Sequence, residues 1–171
     1  MAIISSLEKD QAEEIARAVY EKFEKETGKV PEWVKVMAHS PKIVKEFTEL
    51  FKVIMGEGEI EPYLKWKIAY TISKMLRCPF CVDVTGKMLK KFGANEEMIK
   101  KMKEVKDLPE EEKEILELVK DITADAHLDK PEIIERLKKK LTEAQIIEIV
   151  SVIGLFNYIN RFNNTLTILP E

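Results

Sequence analysis

Arg77-Cys78-Pro79-Phe80-Cys81-Val82-Asp83-Val84-Thr85 lies between two stretches of helical character, and its reading decides the fold. Pro62 to Arg77 reads as one helix and Pro79 to Phe92 as the next, so the cysteine pair stands where the second begins. Pro79 then takes the first helical position and Cys78 the N-cap before it. A sulfur placed there can accept from the unpaired amides of Phe80 and Cys81. Those amides, the positive helix end and the neighbouring Arg77 favour thiolate over thiol, and they mark Cys78 as the exposed, low-pKa sulfur. Cys78 and Cys81 are the only cysteines in the chain. A single Cys-x-x-Cys pair points to redox chemistry ahead of metal binding, because zinc needs two further ligands and His39 and His127 form no pair at ligand spacing. No metal or other cofactor is expected. A pair that is merely packed is the bland alternative.

Outward from this junction the chain reads as helix after helix. Ser5 and Glu8 form a capping box before the apolar stripe Ala12, Ile15, Ala16, Val19 and Phe23, which stops at Gly28. Pro31 opens a short turn of helix with Trp33, Val34 and Met37. Ser40-Pro41 caps a helix lined by Ile43, Val44, Phe47, Leu50, Phe51 and Ile54, broken at Gly56-Glu57-Gly58. Gly93 ends the helix of the cysteines. Asn95 caps a short helix with Met98, Ile99 and Met102, Leu108-Pro109 opens another, and Pro131 a third. Thr142 and Gln145 form a second capping box for a last helix, Glu143 to about Phe162. That helix is apolar nearly all round and so belongs inside the fold or against another subunit. The tail from Thr165 reads as extended. No run alternates with period two, and glycine is scarce at six of 171 residues, which predicts an all-α chain of about nine helices in one domain, 1–171.

Composition narrows the function. With 45% hydrophobic and 35% charged residues the balance is that of a globular chain, and a net charge of −3 gives no reason to expect nucleic acid. The lysine runs are interleaved with acids and read as solvated helix faces. The N-terminus lacks a basic, then apolar, leader. The apolar run from Ile146 to Ile159 is broken by Glu148 and Asn157 and falls short of the roughly 20 residues a bilayer requires. The expectation is a cytoplasmic protein without membrane contact, in a compartment where a lasting structural disulfide would be unusual.

The run Leu64-Lys65-Trp66-Lys67-Ile68-Ala69, then Cys78-Pro79-Phe80-Cys81-Val82-Asp83-Val84-Thr85 and Phe92-Gly93-Ala94, resembles the core of the alkylhydroperoxidase D-like, or carboxymuconolactone decarboxylase, family. Met37-Ala38-His39-Ser40-Pro41 resembles the family's lead-in, and Leu141 to Gln145 through Glu148, Gly154 and Asn157 to Arg161 its closing helix. The resemblance covers about three quarters of the chain. It implies an all-helical subunit assembled as a trimer or hexamer, whose redox members reduce hydroperoxides or disulfides in antioxidant defence through the cysteine pair, with a thiol protein as electron donor. Redox members also carry a glutamate on the helix before the motif and a histidine four residues after the second cysteine, which move protons to and from the sulfur. Here those places fall at or near Trp66 and at Thr85, neither of which is a base near neutral pH. The Thr85 hydroxyl, at i+4 from Cys81, can donate a hydrogen bond to a thiolate. Tyr70, Arg77, Asp83 and Glu61 are the nearby polar substitutes. The family's spacing favours Cys81 as nucleophile, whereas the N-cap argument favours Cys78.

The expected activity is therefore a thiol oxidoreductase of weak peroxidase turnover with Cys78, Cys81 and Thr85 as its site. One rival is a non-catalytic helical assembly protein. The other is lactone or decarboxylation chemistry, which needs an acid, a base and a carboxylate-binding group in one place. Arg161, Asn157, Asn160 and Asn163 read as helix-end or intersubunit polar groups before they read as a functional cluster.

Overall fold

The computed structural model describes residues 2–101, 109–125 and 131–170, and among these there are nine helices and no strand. They are α1 (Glu14–Thr27), α2 (Glu32–Met37), α3 (Pro41–Met55), α4 (Pro62–Met75), α5 (Pro79–Lys91), α6 (Glu96–Lys101), α7 (Glu110–Ala124), α8 (Glu132–Leu137) and α9 (Glu143–Thr165). Most boundaries follow the punctuation in the sequence. Gly28 takes a left-handed φ of 80° to end α1. Asn95 Oδ1 accepts from the Met98 N–H at 2.9 Å at the start of α6, and Thr142 with Gln145 makes both bonds of a capping box at the start of α9.

The first capping box is a correction. Ser5 and Glu8 do not start α1, whose N-cap is Glu13. Residues 5–13 instead lie as a loop on the rest of the fold. The Leu7 N–H donates to Lys35 O at 3.2 Å, and buried Tyr20 donates its hydroxyl to Leu7 O at 2.8 Å. These long-range bonds hold Leu7 away from a helical path, and Glu8 closes a turn by accepting from the Gln11 and Ala12 amides. Ser40 occupies the N-cap of α3 without a side-chain cap bond. The tail is also not simply extended. Thr167 turns left-handed and the Ile168 N–H folds back onto Asn163 O at 2.9 Å, which buries Ile168.

α4 is the centre, packed against α5, α7 and α9. It buries Trp66, Ile68, Ala69, Tyr70, Ile72 and Ser73, so both of its faces are interior. Lys65 is fully buried on it. Its ammonium donates to Ile54 O at 2.9 Å, Gly56 O at 2.7 Å and Glu148 Oε1 at 2.5 Å. The first two are carbonyls at the C-terminal end of α3, where a helix lacks partners. Glu148, on α9, also accepts from the Ile60 N–H at 2.8 Å. One ion pair thus ties α3, α4, α9 and the 56–61 loop together. Gly58 makes the close approach possible, since a Cβ there would come within 2.0 Å of Glu148 Oε1.

Aromatic rings continue the core across helices. Phe23, Trp33 and Phe47 meet edge-on at 6.0 and 5.6 Å, and Phe51, Trp66 and Phe156 close a triangle at 6.1–6.5 Å. α9 is not buried all round within one subunit: Ile147, Val150 and Tyr158 are exposed, and so are Ile43, Leu50 and Val53 on α3. The two rows flank an apolar groove of about 750 Å³ that Gly154 and Leu155 help to line. No described helix is long and apolar enough to cross a membrane.

Candidate functional site

The α4–α5 junction places the two sulfurs. α4 ends in a paired-bond C-terminal motif: the Arg77 N–H reaches Lys74 O at 3.3 Å and the Cys78 N–H reaches Ser73 O at 3.2 Å. This requires a left-handed residue at Arg77, where φ is 54°. The turn delivers Cys78 to the N-cap of α5, and its Sγ accepts from the Cys81 N–H at 3.3 Å. The sequence expectation of a cysteine N-cap therefore holds. The expectation that Cys78 is exposed does not, because Cys78 has no accessible surface and Cys81 retains 4%. Arg77 and Pro79 on either side are exposed while Cys78, Phe80 and Cys81 are buried, so the cap sulfur is turned to the interior.

Both thiols are free, and the Cys81 N–H donates to Cys78 Sγ. The neighbouring Cys81 side chain lowers the Cys78 pKa below its ordinary value despite burial, with the Cys81 and Phe80 backbone N–H groups helping. The neighbouring Cys78 side chain drives the Cys81 pKa up, reinforced by burial and by the charge on Cys78. The two shifts have opposite signs, so the first proton to leave the pair is that of Cys78, where the helix end solvates the charge. Arg77 is exposed and is not a source of the shift.

Cys81, not Cys78, opens onto a cavity of about 50 Å³. Trp33, Phe51, Trp66, Phe80 and Phe156 form most of its wall, with Thr85 and Asn163 as its polar members besides the sulfur. The two positions that the resemblance matches to a proton relay, Trp66 and Thr85, thus both line the same cavity as Cys81. Thr85 does not bond the sulfur as expected, however. Its hydroxyl donates to the Cys81 carbonyl at 2.7 Å. Tyr70, Arg77, Asp83 and Glu61 do not line the cavity. Asp83 is paired with Lys87 at 2.6 Å, and Glu61 serves as the N-cap residue of α4.

The group that does reach the sulfur comes from α9. Asn163 Nδ2 donates to Cys81 Sγ at 3.3 Å, in a side chain only 1% exposed. The other polar groups of that stretch bond within α9 or to α7. Asn160 donates to Phe156 O at 2.7 Å, Arg161 binds Asn157, and Asn157 donates to Ile153 O and Thr123. Asn164 alone joins Asn163 at the junction, donating to Leu76 O at 2.8 Å. His39 is exposed and its Nε2 bonds Ser5 O at 2.8 Å, while His127 lies outside the described residues. Among the described residues no three of His, Cys, Asp and Glu group as a metal site would require.

No protein-family model matches the chain, and no curated protein sequence does. Solved structures do. An uncharacterized peroxidase-related protein from Ralstonia eutropha JMP134, described as an alkylhydroperoxidase AhpD core, superposes with a TM-score of 0.88 at 19% identity, over 99% of this chain and 92% of that one. A peroxidase-related protein from Silicibacter sp. TM1040 gives 0.87 at 19% identity with the same coverage. The debrominase Bmp8, bound to 2,3,4-tribromopyrrole, gives 0.84 at 24% identity over 100% of this chain and 92% of that one. The chain has the alkylhydroperoxidase D-like helical fold.

Proposed function

We propose that the protein is a cysteine-pair thiol oxidoreductase that reduces hydroperoxides or protein disulfides, cycling between a dithiol and a Cys78–Cys81 disulfide. The observation that carries this reading is the pair of free sulfurs at the start of α5, joined by the Cys81 N–H to Cys78 Sγ bond, with Cys81 opening on an aromatic-walled cavity. A hydroperoxide needs little room, and the cavity offers about 50 Å³. Drug-sized ligands occupy roughly 300–1,000 Å³. This favours a small oxidant over a halogenated ring of the kind the Bmp8 structure holds. Lactone or decarboxylation chemistry lacks support, since no titratable group other than the thiol lines the cavity.

The chemistry balances within the pair. The proton on Cys81 moves to the Cys78 thiolate, and the Cys81 sulfur attacks the outer oxygen of ROOH. The O–O bond breaks, Cys81 becomes a sulfenic acid, and the departing alkoxide takes the proton from Cys78 to leave as ROH. The Cys78 thiolate then attacks the Cys81 sulfur, the S–S bond forms and hydroxide leaves. Two electrons pass from sulfur to peroxide. A thiol protein restores the dithiol by exchange through a mixed disulfide. The partners of this reading are therefore the oxidant, that donor and further copies of the chain, in a cytoplasmic setting of antioxidant defence.

The test is a redox titration of the wild type together with a pH titration of its thiolate ultraviolet absorbance. A reversible disulfide with a potential near the cytosolic poise is expected, with one thiolate forming below the ordinary thiol value of about 8.5 and lost in Cys78→Ser. A pair that never forms the bond, or two thiols titrating together as free cysteines do, would sink the proposal.

A further inference from the structure

We infer that Asn163 is a positioning residue of the cysteine pair: its amide holds the Cys81 sulfur at the cavity wall and stabilises the reduced pair against the disulfide. The inference rests on the redox reading above and assigns a role that neither the Cys-x-x-Cys motif nor the resemblance names. Three observations carry it. The Nδ2 donor stands 3.3 Å from Cys81 Sγ. The Asn163 Oδ1 is buried without a partner. The Asn163 backbone is fixed, because its carbonyl accepts from the Ile168 N–H at 2.9 Å and the next residue, Asn164, grips Leu76 O on the other side of the junction.

The unpartnered oxygen makes the argument directional. A buried amide with one end unsatisfied carries an uncompensated desolvation cost, which an aliphatic side chain in its place would avoid. Asn160 carries the same cost while donating to its own helix, so it is the acceptor of the amide N–H that tells the two residues apart. What the amide does supply is an N–H aimed at the sulfur that faces the cavity. Cys78 has the Phe80 and Cys81 amides to carry negative charge, whereas Cys81 has only its own N–H, which also donates to Cys78 Sγ, and the Asn163 amide. When the Cys81 proton passes to Cys78, Asn163 is the donor left to receive the charge on Cys81. A thiol or thiolate sulfur accepts this bond better than a disulfide sulfur does, so the contact favours the reduced state and raises the reduction potential.

The experiment compares Asn163→Leu and Asn163→Ala with Asn160→Leu. Asn160 is a fair control, buried one turn away with its own unpartnered oxygen and no contact with sulfur. Reduction potentials are read against glutathione for every variant that retains wild-type helical circular dichroism. Loss of one hydrogen bond predicts a dithiol–disulfide constant shifted about 3–10-fold toward the disulfide, or about 15–30 mV more negative. A second readout needs no disulfide: in a Cys78→Ser background, Asn163→Leu should lower the thiolate fraction of Cys81 at fixed pH by about 3–10-fold, seen in ultraviolet absorbance. Asn160→Leu should move neither quantity. Wild-type potentials and thiolate fractions in both Asn163 variants would overturn the assignment, as would an equal shift in Asn160→Leu. If the wild type forms no disulfide, the redox reading falls, and the Cys78→Ser series still decides whether Asn163 governs the Cys81 charge. Should Asn163→Leu fail to fold, Asn163→Ala carries both readouts, and failure of both to fold while Asn160→Leu folds would show a purely structural residue.

Discussion

Replacing Lys65 with methionine should be among the most damaging single changes in the chain, although it touches neither sulfur. The side chain is fully buried and its three donors all meet acceptors. Lys65→Met would leave the Glu148 carboxylate, 14% exposed, without its counter-charge, and two α3 carbonyls without a donor. Breaking a buried pair from one side costs about 3–5 kcal/mol. For a chain of this size that corresponds to a fall in Tm of roughly 6–20 °C. The loss is also pH-dependent, with a defined sign. Burial pushes the Glu148 pKa up, but the bonds from Lys65 and the Ile60 N–H outweigh it and leave it lowered. In the wild type this carboxylate contributes stability above the unfolded carboxylate range, lost as pH falls through the folded value. In Lys65→Met the burial remains without the cation, the pKa rises, and Glu148 can take a proton. The deficit of the variant should therefore narrow between pH 7 and about 4.3, the unperturbed glutamate value. Urea unfolding at both pH values, at one protomer concentration, measures this. Lys65→Met with Glu148→Leu should recover most of the loss, because no lone charge remains buried. A deficit under about 1 kcal/mol, as expected for an exposed pair such as Lys45–Glu46, would refute the reasoning.

Other outcomes follow from the same geometry. Among the described residues Arg77 and Thr167 are the two non-glycine residues with positive φ, at 54° and 56°, and a left-handed side chain costs about 1–2 kcal/mol against about 0.5–1 for the added freedom of glycine. Arg77→Gly and Thr167→Gly should each stabilise by about 0.5–1 kcal/mol in thermal unfolding, and a fall in Tm would contradict the strain argument. The exposed α3 and α9 rows should meet another copy of the chain, so light scattering should give a mass above 19.8 kDa for the wild type and near that value for Leu50→Glu with Ile147→Glu. A wild-type mass of one subunit removes that argument. Thr85→His with Trp66→Glu places a base and an acid on the Cys81 cavity and should raise peroxide turnover, within the roughly 10²–10⁴-fold that positioned proton transfer supplies. No gain in a folded double variant would show that the pair already moves its own proton.

The fold was legible because its punctuation is chemical: Gly28, Asn95, Thr142 with Gln145, and Pro79 behind Cys78 all act locally as their types require. The Ser5–Glu8 box misled because a cap motif states what the backbone could do, and the tie of Tyr20 to Leu7 decides what it does. Within the candidate site, the motif pointed to Cys78 and Cys81 and the resemblance to Thr85, and the structure puts Cys81 and Thr85 on one cavity, but neither could assign the Thr85 hydroxyl. An i−4 carbonyl and an i−4 side chain lie in the same direction, and a helical threonine reaches the carbonyl more readily. Asn163 was hidden among Asn157, Asn160 and Asn164, which share its type and helix. Only the crossing of α9 over the α4–α5 junction singles out the asparagine that meets the sulfur.

The empty relay positions have a kinetic consequence. An enzyme that borrows a histidine for its proton shows two limbs in its pH–rate profile, one for the sulfur and one for the imidazole. Here the cavity beside Cys81 contains no base, and the Thr85 hydroxyl is committed to a backbone carbonyl. In the mechanism proposed above, the reacting form is the pair carrying one proton. It arises as the first proton leaves, at the lowered Cys78 value, and it persists until the second leaves, which the raised Cys81 value delays far into alkali. Peroxide reduction by the reduced protein should therefore rise with pH along a single limb below about 8.5 and then stay flat. Stopped-flow oxidation by hydrogen peroxide across that range, read through tryptophan fluorescence because Trp66 lines the cavity, follows the step directly. A bell centred near neutral pH would mean that a group outside the pair carries the proton.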